Sequence, residues 1–210
     1  MQNFYNAEFN VQMLIALLKE HGIKKIIASP GTTNIAFVGS CQQDNYFEIY
    51  SSVDERSAAY MACGMAAESG EPVVLSCTGA TAARNYIPGL TEAFYRKLPV
   101  LAVTSSQFFW RNGNLIPQFT DRSNPPNDIA RTSLFLPTLR DNAEAQAYFV
   151  KVNAALLELR RAGGGPVHIN LETTYSKDFS VRQLPKLSAI RRYLPKDRLP
   201  DIRRGGGLRL

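Results

Sequence analysis

The sequence predicts an α/β protein: a doubly wound, mainly parallel six-stranded sheet with helices on both faces. Three observations predict it. Strand patterns alternate with helical patterns through the first 171 residues, joined by short turns. Several of the strands are continuous apolar runs, which a parallel sheet covered on both faces requires. The composition, 45% hydrophobic and 20% charged over 210 residues, is that of one generous globular domain or two small ones.

The elements follow in order. From Glu8 to Glu20 the apolar residues Phe9, Met13, Leu14, Leu17 and Leu18 recur at helical spacing, and Gly22 stands where a left-handed cap ends a helix. The β-branched run Ile23 to Ser29 predicts a strand ending at Pro30-Gly31. Phe47 to Val53 predicts a second strand. Asp54 can cap a helix running through an Ala-, Met- and Gly-rich stretch to Gly70. Pro72 to Thr78 reads as a strand, and Gly79-Ala80-Thr81 opens a helix to about Lys97 that Pro88 should kink. Pro99 to Ser105 is another buried strand. Residues 107–126 carry Asn-Gly, Asn-Pro and Pro-Pro loop signals. Leu134 to Leu139 predicts a fifth strand, Asn142 to Ala162 a long amphipathic helix before three glycines, and Pro166 to Leu171 a sixth strand. Beyond Leu171 the alternation stops, so residues 1–172 form the predicted domain. Residues 173–210, rich in Pro, Arg and Gly, read as a strap or linker.

Composition also excludes function classes. No run approaches the roughly 18 uncharged apolar residues of a membrane helix. The start, MQNFYNAEFN, lacks the basic and apolar regions of a secretory signal. Cys41, Cys63 and Cys77 are odd in number and widely spaced, as reduced thiols of a cytoplasmic protein would be. His21 and His168 have no cysteine pair at zinc-ligand spacing, so no metal site is expected on this chain. The net charge of +6 invites a nucleic-acid reading, yet residues 181–210 alone carry +7 and the first 180 carry −1. With Tyr193 the one aromatic in that segment, a solvated linker is the simpler reading.

Ligands of open α/β sheets collect beyond the carboxyl ends of the strands, and three turns there carry chemistry. Ser29 to Asn34 (SPGTTN) offers hydroxyls and backbone N–H groups at a helix start, which suit a polar or anionic group. Asp54 to Tyr60 (DERSAAY) puts the carboxylate of Glu55 in the first turn of an otherwise apolar helix; an acid pair favouring the helix dipole is the plainer reading. Cys77 to Tyr86 (CTGATAARNY) is a small-residue turn that admits a ligand close to the backbone, or simply turns.

In this order on a parallel sheet, the three turns resemble the pyrimidine-binding (PYR) domain of thiamine diphosphate-dependent enzymes, most closely its menaquinone-pathway synthase branch. The resemblance runs from about Phe9 to Leu171 and is densest from Asp54 to Ser105. It implies the thiamine diphosphate-binding fold and a cofactor that carries carbanion chemistry while the protein orients and polarises it. Glu55 falls on the family's glutamate, which hydrogen-bonds N1′ of the aminopyrimidine and favours the imino form that removes the C2 proton. Such a glutamate should be enclosed enough to share a proton, here among Val53, Ala58, Ala59, Met61 and Met65. Thr78, Gly79, Ala80 and Thr81 match the turn near the cofactor, with Asn85 following on the helix. Pro30 and Gly31 match the first-strand turn. Thr32 and Thr33 follow as substrate-side candidates. Thr33 stands where the menaquinone branch, with a pattern similar to SPGSRS, has an arginine for an acidic substrate. Gln107, Arg111 and Gln118 lie in the next loop, where family members touch substrate; a plain surface loop reads equally well.

The family's second domain holds the diphosphate and magnesium and is marked by GDG followed downstream by Asn. This chain has no GDG. The resemblance therefore implies a thiamine diphosphate-dependent lyase or carboligase acting on a small 2-keto acid, complete only with a pyrophosphate-binding domain. That domain, with the Mg2+ ligands, is expected in the same longer chain or in a partner subunit, and a homo-oligomer is expected too. The alternative is a non-catalytic PYR-like module for assembly or regulation.

Overall fold

The computed structural model describes residues 4–122 and 124–191. Six parallel strands form one sheet in the order β2-β1-β3-β4-β6-β5. The strands are β1 Lys25–Ala28, β2 Glu48–Ser51, β3 Val73–Thr78, β4 Val100–Ser106, β5 Thr132–Leu136 and β6 Val167–Glu172. The central pair β3 and β4 is buried almost to its ends, as the continuous runs VVLSC and VLAVTS demand. At the sheet edge β2 is exposed, with charged Glu48 and half-buried Ile49.

One face carries α1 (Phe9–Glu20), α2 (Ile35–Gln42) and α6 (Asn142–Glu158); their core includes Leu14, Leu17, Phe37, Phe149 and Val152. The other carries α3 (Glu55–Ser69), α4 (Thr81–Asn85) and α5 (Ile87–Tyr95), packed through Ala58, Ala59, Ala62, Tyr86 and Leu90. These alanines let α3 and α5 approach so closely that a Cβ on Gly89 would lie 2.5 Å from that of Ala59. After β1 the chain turns to the first face and after β3 to the second. The neighbouring ends of β1 and β3 therefore flank a topological switch point.

The doubly wound architecture agrees with the sequence reading, and the sheet is parallel throughout. Four details differ. The segment after Pro30-Gly31, read only as far as a helix start, forms the full helix α2, whose opening Ile35 to Val38 is apolar all round and so lacks a helical period. The helix expected through Pro88 is two, α4 and α5, meeting at Tyr86 with Pro88 in the first turn of α5, where its missing N–H costs nothing. β5 begins two residues earlier than expected, because the polar Thr132 and Ser133 pair in the ladder with Val167 and His168. Finally, α1 is buried on every side from Asn10 to Leu18.

The strap explains that burial. Residues 173–190 run back across the first face instead of leaving it. Tyr5 and Val181 exchange backbone hydrogen bonds of 2.7 and 3.2 Å, and the Ala7 amide donates to Asp178 O at 2.8 Å. Leu184, Leu187 and Ile190 pack on the α1 and α6 core, and Asn153 Oδ1 accepts from the Ile190 amide at 2.8 Å. The final basic segment, residues 192–210, with Tyr193, Pro195 and Pro200, lies outside the described residues.

Candidate functional site

The two carboxylates at the start of α3 have separate surroundings. Asp54 is the N-cap: its side chain accepts from the Ser57 amide at 2.9 Å. The Ser57 hydroxyl, which also donates to it, and then the Ser57 amide hold the Asp54 carboxyl below the usual range, with burial opposing them and Arg56 adding to them. Glu55 is the first helical residue, half-buried, and its carboxylate has no hydrogen-bond or ion-pair partner among the described residues. The plainer reading, a shared capping role, thus falls to Asp54 alone. The apolar enclosure expected for Glu55 is partial. Ala58 and Ala59 are buried beneath it, whereas Val53 is 85% exposed and Tyr60 and Met61 are about half exposed.

Beneath the strand ends lies a group of buried hydroxyls. Ser29 Oγ, Ser105 Oγ and the Tyr86 hydroxyl are enclosed without a hydrogen-bond partner of good geometry. Burial pushes the neighbouring Cys77 thiol up to about 12 and the Tyr86 phenol well above its usual value, and the negative charge of Glu55 adds to both.

The first-strand turn is built by close packing. A Cβ on Gly31 would lie 2.0 Å from Thr78 Cγ2, so glycine is what allows the β1 turn to rest on the end of β3. Asn34, buried, ties the turn down by donating to Ser29 O at 3.0 Å. Thr33 donates its hydroxyl to Ser105 O at 2.5 Å, and its own carbonyl accepts from the Thr173 hydroxyl at 2.9 Å.

A cavity of about 270 Å³ opens at the carboxyl ends of β1, β3, β4 and β6. It brings together Thr32, Thr33, Thr78, Gly79, Ala80, Gln107 and Gln118 of the sequence candidates. Pro30, Gly31, Glu55, Thr81, Asn85 and Arg111 do not line it. Thr81 and Asn85 lie exposed on α4. Arg111 donates to Gln107 Oε1 at 2.7 Å and lies 5.2 to 5.8 Å from the ring centres of Phe108, Trp110 and Phe119.

The cavity also contains residues that sequence reasoning missed. Arg122 packs its guanidinium over Gly79, where a Cβ would come within 2.4 Å of it, and donates to Asn170 Oδ1 at 2.6 Å. The space over the small-residue turn is thus filled by a side chain of this chain. Burial lowers the Arg122 pKa to about 10, which leaves it charged at neutral pH. Phe109 and Phe135 supply an apolar wall. Of these, Asn170 had a legible signal, a polar side chain near the carboxyl end of the strand run VHINLE. Arg122 had none, because its neighbours in sequence are loop residues.

Comparisons with known proteins bear on this arrangement. Residues 10–125 match the family model described as thiamine pyrophosphate enzyme, N-terminal TPP binding domain. The 2-succinyl-5-enolpyruvyl-6-hydroxy-3-cyclohexene-1-carboxylate synthase of Bacteroides thetaiotaomicron is 33% identical over 190 residues, 90% of this chain and 34% of that protein. The same-named synthase of Phocaeicola vulgatus is 33% identical over 194 residues, with the same coverages of 90% and 34%. The chain therefore spans about a third of the length of these curated relatives. The thiamine diphosphate-dependent 4-hydroxybenzoylformate decarboxylase of Rhodococcus jostii shares the fold, with a TM-score of 0.65 and 18% identity over 84% of this chain and 32% of that one. With more than half of its length matched by the family model, the chain belongs to the thiamine pyrophosphate enzymes, as their N-terminal TPP-binding domain.

Proposed function

We propose that this domain supplies the glutamate that activates the aminopyrimidine in a thiamine diphosphate-dependent 2-keto acid decarboxylase or carboligase. The observation that carries the reading is the division of labour at the start of α3. Asp54 caps the helix, and the Glu55 carboxylate is left half-buried with no partner among the described residues. A carboxylate so placed fits a ring nitrogen that shares a proton with it. When bound, the cofactor supplies the electron sink for cleaving or forming the bond next to the keto carbon. The chain's own residues accept and hold a proton at Glu55 and shape the polar cavity at the turns after β1 and β3. Thr32, Thr33, Gln107 and Gln118 face the substrate in this reading, with Arg111 holding Gln107 in place. Pro30, Gly31 and the turn Thr78 to Thr81 with Asn85 form the cofactor side.

The rest of the proposal concerns what surrounds the domain. Residues 1–172 form the PYR unit, and the segment that follows, after its strap across the first face, leads towards a further domain that binds the diphosphate through Mg2+. The exposed apolar residues Val53, Tyr60 and Met61 beside Glu55 support its being covered by that domain, from the same longer chain or a partner copy. The three cysteines are free and buried, in keeping with a cytoplasmic setting. No helix among the described residues is long and apolar enough to cross a membrane.

Two outcomes test the reading. In the complete enzyme, Glu55→Gln lowers turnover by about 10²- to 10⁴-fold, the usual worth of one positioned acid-base group. The 210-residue chain alone binds thiamine diphosphate weakly, because the diphosphate has no anchor here. Tight, magnesium-dependent binding measured by calorimetry on the chain alone contradicts this.

A further inference from the structure

Arg122 is the one formally charged residue lining the cavity among the described residues. Asn170 is a neutral partner, and no carboxylate pairs with the guanidinium among the described residues. Its Nε is buried without a hydrogen-bond partner. Arg84, whose guanidinium donates to Asp121 O at 2.7 Å, lies near enough to add positive charge, and the Asp121 carboxylate near enough to offset part of it without forming an ion pair with Arg122. A desolvated cation of this kind gains several-fold more from a counter-ion than an exposed one does, because water has already been removed from it.

The groups around it narrow the ligand. Asn170 Oδ1 accepts from both Arg122 and the Ser106 hydroxyl, the latter at 3.2 Å, which fixes the amide plane and leaves its Nδ2 as a donor with no acceptor among the described residues. Thr33 cannot compete for an anion as a donor, since its hydroxyl is spent on Ser105 O. Phe109 and Phe135, whose ring centres are 5.7 Å apart with the rings tilted 51° to each other, line the same cavity as an apolar wall.

From this arrangement we infer that Arg122, with Asn170, forms a carboxylate-binding subsite of the cavity, selecting a ligand whose carboxylate is attached to an apolar body. The assignment of that ligand as substrate rests on the function proposed above; the anion site itself does not. Arg122 and Asn170 are then specificity-determining residues, of which Arg122 carries no signal in the sequence. The geometry favours a carboxylate because a guanidinium presents its donors in a planar fork.

The test is a titration of benzoate, with benzamide as its neutral counterpart, into the 210-residue chain without cofactor. Its single tryptophan, Trp110, lies in the loop beside the cavity and reports binding by fluorescence. Benzoate binds saturably and benzamide at least about tenfold more weakly, the discrimination a charge-assisted hydrogen bond provides. Arg122→Gln weakens benzoate at least about tenfold, and Arg122→Lys restores part of the loss. Asn170→Asp gives the cation an internal counter-ion, so benzoate binding falls while the melting temperature rises. This second variant keeps the test decisive should Arg122→Gln fail to fold. Equal binding of benzamide, unchanged binding in a folded Arg122→Gln or Asn170→Asp, or no saturable response to benzoate overturns the inference. No thiamine cofactor enters this experiment, so its failure is distinct from a failure of the Glu55 reading.

Discussion

Adjacent carboxylates at positions 54 and 55 differ in whether the local backbone needs them. Asp54 satisfies the Ser57 amide, so Asp54→Ala should lower the melting temperature in thermal unfolding. Glu55 caps nothing, so Glu55→Gln should leave the melting temperature nearly unchanged while removing activity. The spacing of DERSAAY left both readings of Glu55 open, because helix capping and proton chemistry ask for the same residue types. Only the hydrogen bonds of the folded chain separate them. His168 gives a pH-dependent case at the same scale. It is buried in the sheet, with Nε2 2.8 Å from Thr104 Oγ1 and Nδ1 2.7 Å from Ser133 Oγ. Burial, with the charge of Arg122 adding to it, lowers its pKa to about 4. The folded state therefore binds its proton less readily than the unfolded chain, whose histidine titrates near 6.5. Stability from this residue is complete above about pH 6.5 and is lost as pH falls towards 4, by up to about 3 kcal/mol. Urea unfolding at pH 7.0 and 4.5 should show this loss, and His168→Asn should shrink it.

Among the elements, the close contact between α3 and α5 is the most exacting. Gly89 leaves room for Ala59, whose own backbone carbonyl carbon is 3.0 Å from where a Cβ would sit. Gly89→Ala must push two packed helices apart, and a destabilisation of about 1 to 3 kcal/mol is expected in chemical unfolding. Strands were the most legible elements, because buried parallel strands write themselves as unbroken apolar runs such as VVLSC and VLAVTS. Helix α2 was less legible. Its consecutive apolar residues Ile35, Ala36, Phe37 and Val38 carry no period that separates helix from strand. The start of β5 was hidden for the opposite reason: Thr132 and Ser133 look like loop, and only pairing with β6 makes them strand.

For the whole molecule, the open question is what completes the site. Much of the fold and the Glu55 position could be read from sequence because they depend on local pattern and on a dense resemblance. The strap over α1 and the meeting of Arg122 with Asn170 could not, because both depend on residues 48 or more positions apart coming together. The exposed Val53, Tyr60 and Met61 leave one side of Glu55 uncovered in this chain. In the proposed function, Glu55 drives cofactor activation once that side is closed by a second domain. It is tested most directly by the rate of C2 hydrogen–deuterium exchange of thiamine diphosphate, followed by proton NMR on the complete enzyme. The account predicts that Glu55→Gln slows this exchange by about 10²-fold or more with the fold intact. Exchange at the wild-type rate in that variant would contradict it.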